Sequence, residues 1–434
     1  MVTIEKLSEM NHWWKLGGIK KELSPDYKRK LFFEIKKYLK LRQIIAIVGL
    51  RRVGKTTLLY QLIDQFIKEN ISPKNILYFS FDESIEEIRE VMDIYQEEIL
   101  KKDLSGEKIY IFLDEIQKLK NWQDKIKIYY DLYPNIKFFI SGSASLNILL
   151  DAKESLAGRI FHFNLNILSF EEFLELKDKN IKKIKENISL WKREIKIELK
   201  EYLIKPFPEI INVNDEIGKK YIKESVIEKA IFRDLSALFD VKDIELIEKL
   251  INVIASNPGI IINLDDLSKD FGRSRQVISN YLYYLECCFI LKSLKNFRGS
   301  FRVSSRKLKR YYLIHPCLAL SLSNAEEGKI IENLVQFITN APYFWRERNK
   351  EVDFVIIKEN QIIPIEVKYV LKVKLKDIKG MIKFLEVFKI KEGFIITGDY
   401  EAEDKIKDKK IKFIPLWRWL LTDNNQNHLS KQEK

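Results

Sequence analysis

Cysteine and histidine are scarce in this chain. Only three cysteines stand among 434 residues, Cys287 beside Cys288 and Cys317 apart. Adjacent thiols do not readily bridge one another, so no disulfide framework is visible. Four scattered histidines offer no zinc spacing. No apolar run approaches the length that crosses a bilayer, and the opening Met1-Val2-Thr3-Ile4-Glu5-Lys6 lacks the hydrophobic stretch of a signal peptide. These absences argue against a secreted disulfide scaffold and a membrane partner. The expectation is a cytoplasmic protein.

Apolar residues and charge are both abundant. Hydrophobic residues make up 46% of the chain, enough for packed cores, which excludes a wholly disordered protein. The length suits roughly two to four domains. A net charge of +13 and a pI near 9.2 favour an anionic partner such as nucleic acid. A chain this rich in Lys, Glu and Ile also matches the ion-pair-dense composition of proteins from hot-growing organisms, and both readings stand.

Gly49-Leu50-Arg51-Arg52-Val53-Gly54-Lys55-Thr56 fits G-x-x-x-x-G-K-[ST]. The preceding Gln43-Ile44-Ile45-Ala46-Ile47-Val48 is an apolar block of strand length, and Thr57 begins an amphipathic helix. Strand, glycine turn and helix are the context this motif needs. The two glycines let backbone N–H groups face an anion, and the helix start adds its positive end. Residues 49–57 are therefore expected to hold the phosphates of ATP, with Lys55 on the β- and γ-phosphates and the Thr56 hydroxyl on Mg²⁺.

Four strand-like blocks lie between residues 43 and 141, separated by helical patterns, which predicts a parallel sheet with both faces covered. The third, Ile109-Tyr110-Ile111-Phe112-Leu113, runs into Asp114-Glu115, as a Walker B strand does. Asp114 would hold the magnesium, through water or Thr56, and Glu115 would orient the attacking water. The fourth ends in Ser141-Gly142-Ser143-Ala144-Ser145. A polar residue there would sit between the two Walker strands, and Ser143 is the preferred one. Arg159, in Glu154-Ser155-Leu156-Ala157-Gly158-Arg159, suits an arginine finger, in cis or in trans; a structural ion pair is the other reading. A finger in trans would require a homo-oligomer.

The segments Gly49–Thr56, Leu113-Asp114-Glu115, Ser141-Gly142-Ser143, Leu156-Ala157-Gly158-Arg159 and Leu168-Ser169-Phe170-Glu171-Glu172-Phe173 together resemble the archaeal ATPase family, a branch of the AAA+-like P-loop ATPases found in archaea and bacteria. The resemblance is strong over the first half, and the second half is similar to the C-terminal region usual in that family. It implies ATP binding and hydrolysis without naming a biological process.

Residues 175–204 read as a charged helical lid or connector, closed by Pro206-Phe207-Pro208. Beyond it, Asp265–Gly272 and the Ser274-capped run Arg275–Leu285 have helix-turn-helix grammar. Arg273, Arg275, Gln276 and Asn280 lie where base or phosphate contacts to DNA are made. The basic stretch Arg298 to Arg310, with Arg302, Arg306, Lys307 and Lys309, could form a wing. Such a module can equally serve protein packing.

In the last third, Glu351–Ile357 and Gln361–Lys368 predict a β-hairpin that puts Glu366 and Lys368 on one face with Asp353 on the partner strand. Two carboxylates and a lysine can bind Mg²⁺ and position a water against a phosphodiester. The pattern resembles the PD-(D/E)XK nuclease superfamily, with Glu332 as an additional upstream acid and an αβββαβ element order. Cleavage and DNA binding alone are both open to such a domain. The expected fold is thus α/β: a P-loop NTPase domain with its lid over residues 1–205, a helical winged-helix domain over 206–320 and a small α/β nuclease-like domain over 321–434.

Overall fold

The computed structural model describes residues 2–82, 87–143, 156–235, 239, 241–298, 305–370, 372–406 and 408–422. Ala144, Ser145, Glu154, Ser155 and Arg302, and the side chains of Arg306 and Lys307, lie outside what is described. The chain divides into two compact units, Met1–Ile167 and Leu168–Lys434. The lid segment and both later domains expected from sequence therefore fall together in the second unit.

The first unit is built on five strands, β1 (Ile44–Val48), β2 (Ile76–Ser80), β3 (Ile109–Asp114), β4 (Ile136–Gly142) and β5 (Ile160–Asn164). All neighbours run parallel, in the order β2-β3-β4-β1-β5. Every residue of β1, β3 and β4 is buried, as expected of central parallel strands covered on both faces. β4 lies between β1 and β3, as its serine-rich end led one to expect. On one face the rings of Phe112 and Phe139 stack at 4.4 Å, with Phe66 of the helix α1 (Lys55–Lys68) packed beside them.

The exposed rim of an edge strand is a hazard for aggregation, and side chains close this one. Asn11 reaches β2 with its amide, donating to the Tyr78 carbonyl at 2.8 Å and accepting from the Tyr78 N–H at 2.6 Å, much as another strand would. The indoles of Trp13 and Trp14 both donate to the Ile76 carbonyl.

Among its described residues the second unit holds a mixed sheet of nine strands. Helix α2 (Ile244–Ser256) precedes β6 (Ile260–Ile262). Helices α3 (Leu264–Phe271) and α4 (Arg275–Cys287) follow, Gly272 closing the first in the left-handed region and the Ser274 hydroxyl capping the second. Then come β7 (Leu291–Asn296) and β8 (Ser305–Leu313), forming the antiparallel set β6-β8-β7. After α5 (Glu327–Thr339), the strands β9 (Tyr343–Glu347), β10 (Lys350–Lys358) and β11 (Gln361–Lys368) form a meander. Helix α6 (Lys379–Val387) leads to β12 (Glu392–Thr397), which lies parallel to β11.

Strands β13 (Ala402–Ile406) and β14 (Lys409–Pro415) complete the sheet beyond β12. The two halves join where β7 runs parallel to β9 through Lys295↔Tyr343 and Asn296↔Phe344. The Asn296 amide prolongs that ladder by exchanging hydrogen bonds with the backbone of Arg346. A sheet continuous through this joint crosses the boundary expected at residue 320, and one core takes in Phe173, Tyr202, Leu294, Tyr312, Phe354 and Trp417.

Candidate functional site

The loop 49–54 sits at the carboxyl end of β1, between strand and helix. Gly49 is required by crowding: a Cβ there would lie 2.3 Å from the carbonyl oxygen of Leu165. Gly54 is required by conformation, with φ of +97°. Arg52, exposed, also adopts a positive φ of 67°. Leu50 and Val53 are buried and anchor the loop from below. The Arg29 guanidinium ties it from the side, donating to the carbonyls of Val53 at 3.0 Å and Asn166 at 2.9 Å. Lys55 is buried, its ammonium donating to the Gly49 carbonyl at 3.1 Å and the Leu50 carbonyl at 3.0 Å. Thr56 and Thr57 open the helix; Arg51 is half-buried beside them.

Asp114 is the hub. Its Oδ2 accepts from the Thr56 hydroxyl at 2.6 Å and from the Tyr78 hydroxyl at 3.1 Å. Its Oδ1 accepts from the Ser141 hydroxyl and, at 3.0 Å, from the backbone N–H of Glu115. The register explains the convergence: Leu113 pairs with Ile140 and Ser80 with Asp114, so β4 and β2 both present side chains beside the acid. Ser141 is thus the β4 hydroxyl on Asp114. Ser143, the residue preferred from sequence, is buried one step away and accepts from the Gln117 amide at 3.3 Å. The same Gln117 amide donates to Glu115 at 2.6 Å, and its Oε1 is buried with no partner among the described residues. Glu115 itself is half-buried and sits at a φ of +53°. Tyr78, Ser141 and Gln117 were not singled out in the sequence.

Thr56 and Asp114 supply a hydroxyl and a carboxylate side by side, the hard oxygen donors that suit Mg²⁺. The fit is good.

Arg159 lies away from the loop 49–54. β5 runs parallel to β1 from Ile44↔Ile160 to Val48↔Asn164, and the Arg159 carbonyl accepts from Ile44 N–H. The residue is therefore at the start of these strands, while the phosphate loop is at their ends, about 16 Å away by strand rise. Its side chain pairs with Asp131 at 3.3 Å. Within its own chain Arg159 does not reach the loop.

In the second unit, Arg273, Arg275 and Gln276 stand exposed at the start of α4, and Asn280 is half-buried. Arg273 pairs with Asp243 at 2.7 Å and Arg275 with Asp265 at 2.9 Å, and the Gln276 amide donates to Asn280. Lys309 is half-buried and Arg298 exposed, but Arg310 is only 3% exposed and points away from solvent. A wing residue it is not.

Arg310 enters the carboxylate cluster instead. Its Nη1 lies 3.2 Å from Asp353 and 3.5 Å from Glu332, and its Nη2 lies 3.0 Å from Glu351. Glu332 also accepts from the Tyr312 hydroxyl at 2.5 Å and from Lys329 at 2.8 Å. Asp353 accepts from the Val367 N–H. Glu366 pairs with Lys368 at 2.8 Å, as the alternation of the strand predicts. Burial pushes the Glu366 carboxyl up to about 8, against the pull of Lys368 and with added repulsion from Asp353. Burial works against the Lys368 charge too, but Glu366 and Asp353 outweigh it and hold that ammonium firmly protonated. Burial, with repulsion from Asp353, also raises Glu332. The hairpin and the upstream acid expected from sequence are present. At the place where a divalent-metal site was expected of Asp353, Glu366 and Glu332, the Arg310 guanidinium lies between Asp353 and Glu332. Among the described residues no group of three or more His, Cys, Asp or Glu could hold a metal ion.

Residues 41–174 match the model of an AAA domain. Residues 197–329 and 324–419 match two domains of unknown function, DUF8612 and DUF4143. Relatives extend along most of the chain. An uncharacterized protein of Methanocaldococcus jannaschii, MJ1544, is 32% identical over 409 residues, covering 88% of each chain. An uncharacterized protein of Haemophilus influenzae is 25% identical, covering 86% of this chain and 94% of its own. A second M. jannaschii protein, MJ1637, is 25% identical over 84% of this chain and 83% of its own. No described helix is long and apolar enough to cross a membrane.

Proposed function

The chain belongs to the same family as MJ1544 of M. jannaschii and matches an AAA domain over residues 41–174, and from that premise we propose that it is a cytoplasmic Mg²⁺-dependent ATPase whose nucleotide cycle governs engagement of DNA by its second unit. The observation that carries the reading is the convergence of Thr56 and Ser141 on Asp114 at the carboxyl ends of β3 and β4, with Lys55 held against the loop carbonyls at the end of β1. Backbone N–H groups of residues 49–54 and the start of α1 receive the phosphates, and Lys55 leaves its loop carbonyls for the β- and γ-oxygens. Thr56 and Asp114 would hold the Mg²⁺, which would supply charge neutralisation at the phosphates when bound. Glu115, steadied by the Gln117 amide, orients the water that attacks the γ-phosphorus and accepts its proton, while the bond from that phosphorus to the bridging oxygen breaks and ADP leaves with the electron pair.

The element order α2, β6, α3, α4, β7, β8 supports a winged-helix reading of the first part of the second unit, with α4 as its DNA-facing helix. The order α5, β9, β10, β11, α6, β12 supports a nuclease-like reading of the rest. Arg273 and Arg275 already have acidic partners, which favours a second reading: a nucleotide switch that grips a protein. Exposed ion pairs of that kind contribute about 1 kcal/mol or less, so phosphates of a highly charged duplex can displace them. DNA remains the first choice.

Steady-state ATP hydrolysis measured with and without duplex DNA decides between the two. Turnover that rises with DNA, more so at low salt, supports the proposal. Turnover indifferent to DNA, together with no DNA affinity, leaves the protein switch.

A further inference from the structure

Arg310 is placed as a metal ion would be placed. It lies on β8, the central strand of the set β6-β8-β7, with Leu294 and Ile261 as its strand neighbours. Tyr312, two residues on, shares its face of the strand and reaches the same carboxylate, Glu332. From there the guanidinium meets acids from two other elements, Glu332 of α5 and both Glu351 and Asp353 of β10. Gly259 makes room for the arrangement, since a Cβ at that position would come 2.7 Å from the Glu332 carboxylate.

A divalent ion requires several oxygens drawn in to little more than about 2 Å. Here the oxygens are turned toward protein donors: Asp353 toward Arg310 and the Val367 N–H, Glu332 toward Arg310, Tyr312 and Lys329. Of the carboxylate oxygens of Glu332, Asp353 and Glu366, Glu366 Oε2 alone is buried without a partner among the described residues. The guanidinium has no open route out. Its side chain is 4% exposed, and its carbon stands 4.9 Å from the centre of the Phe344 ring. Arginine cannot shed its charge at any pH a protein tolerates, so the occupant is permanent.

We propose that the Arg310 guanidinium is the resident cation of this cluster, occupying the position a divalent metal would take, so that the nuclease-shaped part of the second unit takes up no metal there and performs no metal-assisted phosphodiester hydrolysis. The three acids Glu332, Glu351 and Asp353 and the two bases Arg310 and Lys329 then form a fastener that ties β8 to α5 and to β10. The inference stands whether or not the first unit hydrolyses ATP.

Mn²⁺ titration followed by electron paramagnetic resonance tests it on the nucleotide-free full chain. Asp114→Asn serves as the background, so that the phosphate-loop acid does not contribute. With Arg310 intact, no Mn²⁺ should bind in a way that Asp353→Asn abolishes. Arg310→Met should create a site at least about tenfold tighter than any in the parent, lost again when Asp353→Asn is added. Thermal unfolding identifies a variant that does not fold, and Arg310→Gln then replaces Arg310→Met. Two results overturn the proposal: Mn²⁺ bound with Arg310 intact and released by Asp353→Asn, or a folded Arg310 variant that gains no Mn²⁺ affinity.

Discussion

Thr56 donates its hydroxyl hydrogen to Asp114 across 2.6 Å, fastening the start of α1 to the acidic end of β3. The Tyr78 and Ser141 hydroxyls and one backbone N–H converge on the same carboxylate. Such a cradle fixes where the charge sits before any ligand arrives, and preorganisation of that kind avoids reorganisation when a cation binds. Asp114→Asn keeps the shape and the Thr56 contact while removing the charge. ATP affinity measured by calorimetry with and without Mg²⁺ should therefore show a large Mg²⁺ gain in the parent and a small one in the variant. An equal gain in both would remove Asp114 from the magnesium site.

Lys55 is held over the loop by two of its carbonyls, so the ammonium waits where phosphate oxygens would arrive. Lys55→Ala removes a charge-assisted contact of about 1.5–3 kcal/mol, or about tenfold to 150-fold in ATP affinity. The loop should keep its path, because Arg29 and the buried Val53 hold it independently. Unchanged affinity in a folded variant would end the phosphate-loop assignment.

Glu115→Gln should leave ATP binding intact and depress turnover, since an amide cannot accept the proton of the attacking water. Gln117→Leu should reproduce a weaker version of the same defect. Its amide positions Glu115 at 2.6 Å without being placed to act itself, so kcat should fall with KM little changed. Parental turnover in the Glu115 variant would mean that another group activates the water.

How much of this was legible in the sequence depended on how local the signal was. The phosphate loop and the Walker strand are contiguous patterns, and residues 49–57 and 109–115 stand where those patterns put them. The choice between Ser141 and Ser143 was not legible. Every residue of β4 is buried, so burial alternation gives no hint of which hydroxyl faces the acid; only the register with β3 decides it. Arg310 misled for a related reason. In a run of basic residues it reads as solvated surface, yet its partners lie 22, 41 and 43 positions away on other elements. The joint of β7 to β9 rests on two residue pairs, too small a feature for any periodicity to reveal.

Arg159 can assist hydrolysis only from a neighbouring chain, given its place at the far end of β5 and its pairing with Asp131. If it does, specific ATPase activity should rise with protein concentration. A mixture of Arg159→Ala and Lys55→Ala chains should then regain activity that neither shows alone. A mixture proven to contain hybrid oligomers and still inactive would leave Arg159 a structural residue. The exposed Asp131 pair would then be its whole contribution, about 1 kcal/mol at most.

Glu366 gives the second unit a stability that depends on pH, and the sign follows from its surroundings. Burial raises its carboxyl from 4.5 to about 8, so between these values the folded chain holds a proton that the unfolded chain has released. Stability then falls as pH rises, because the folded state binds more protons across that window. The contribution is complete below about pH 4.5 and is lost as pH climbs through about 8. Lys368 does not obscure the trend: its pKa is raised above 10.5, so its own change falls at higher pH. Thermal unfolding of the parent and of Glu366→Gln, compared from about pH 5 to about pH 9, isolates the effect. Glutamine is neutral throughout and close in shape, so the variant should lose less stability over that range than the parent does. Parallel curves for the two proteins would mean that Glu366 stays ionised in the fold and that Lys368 alone compensates it.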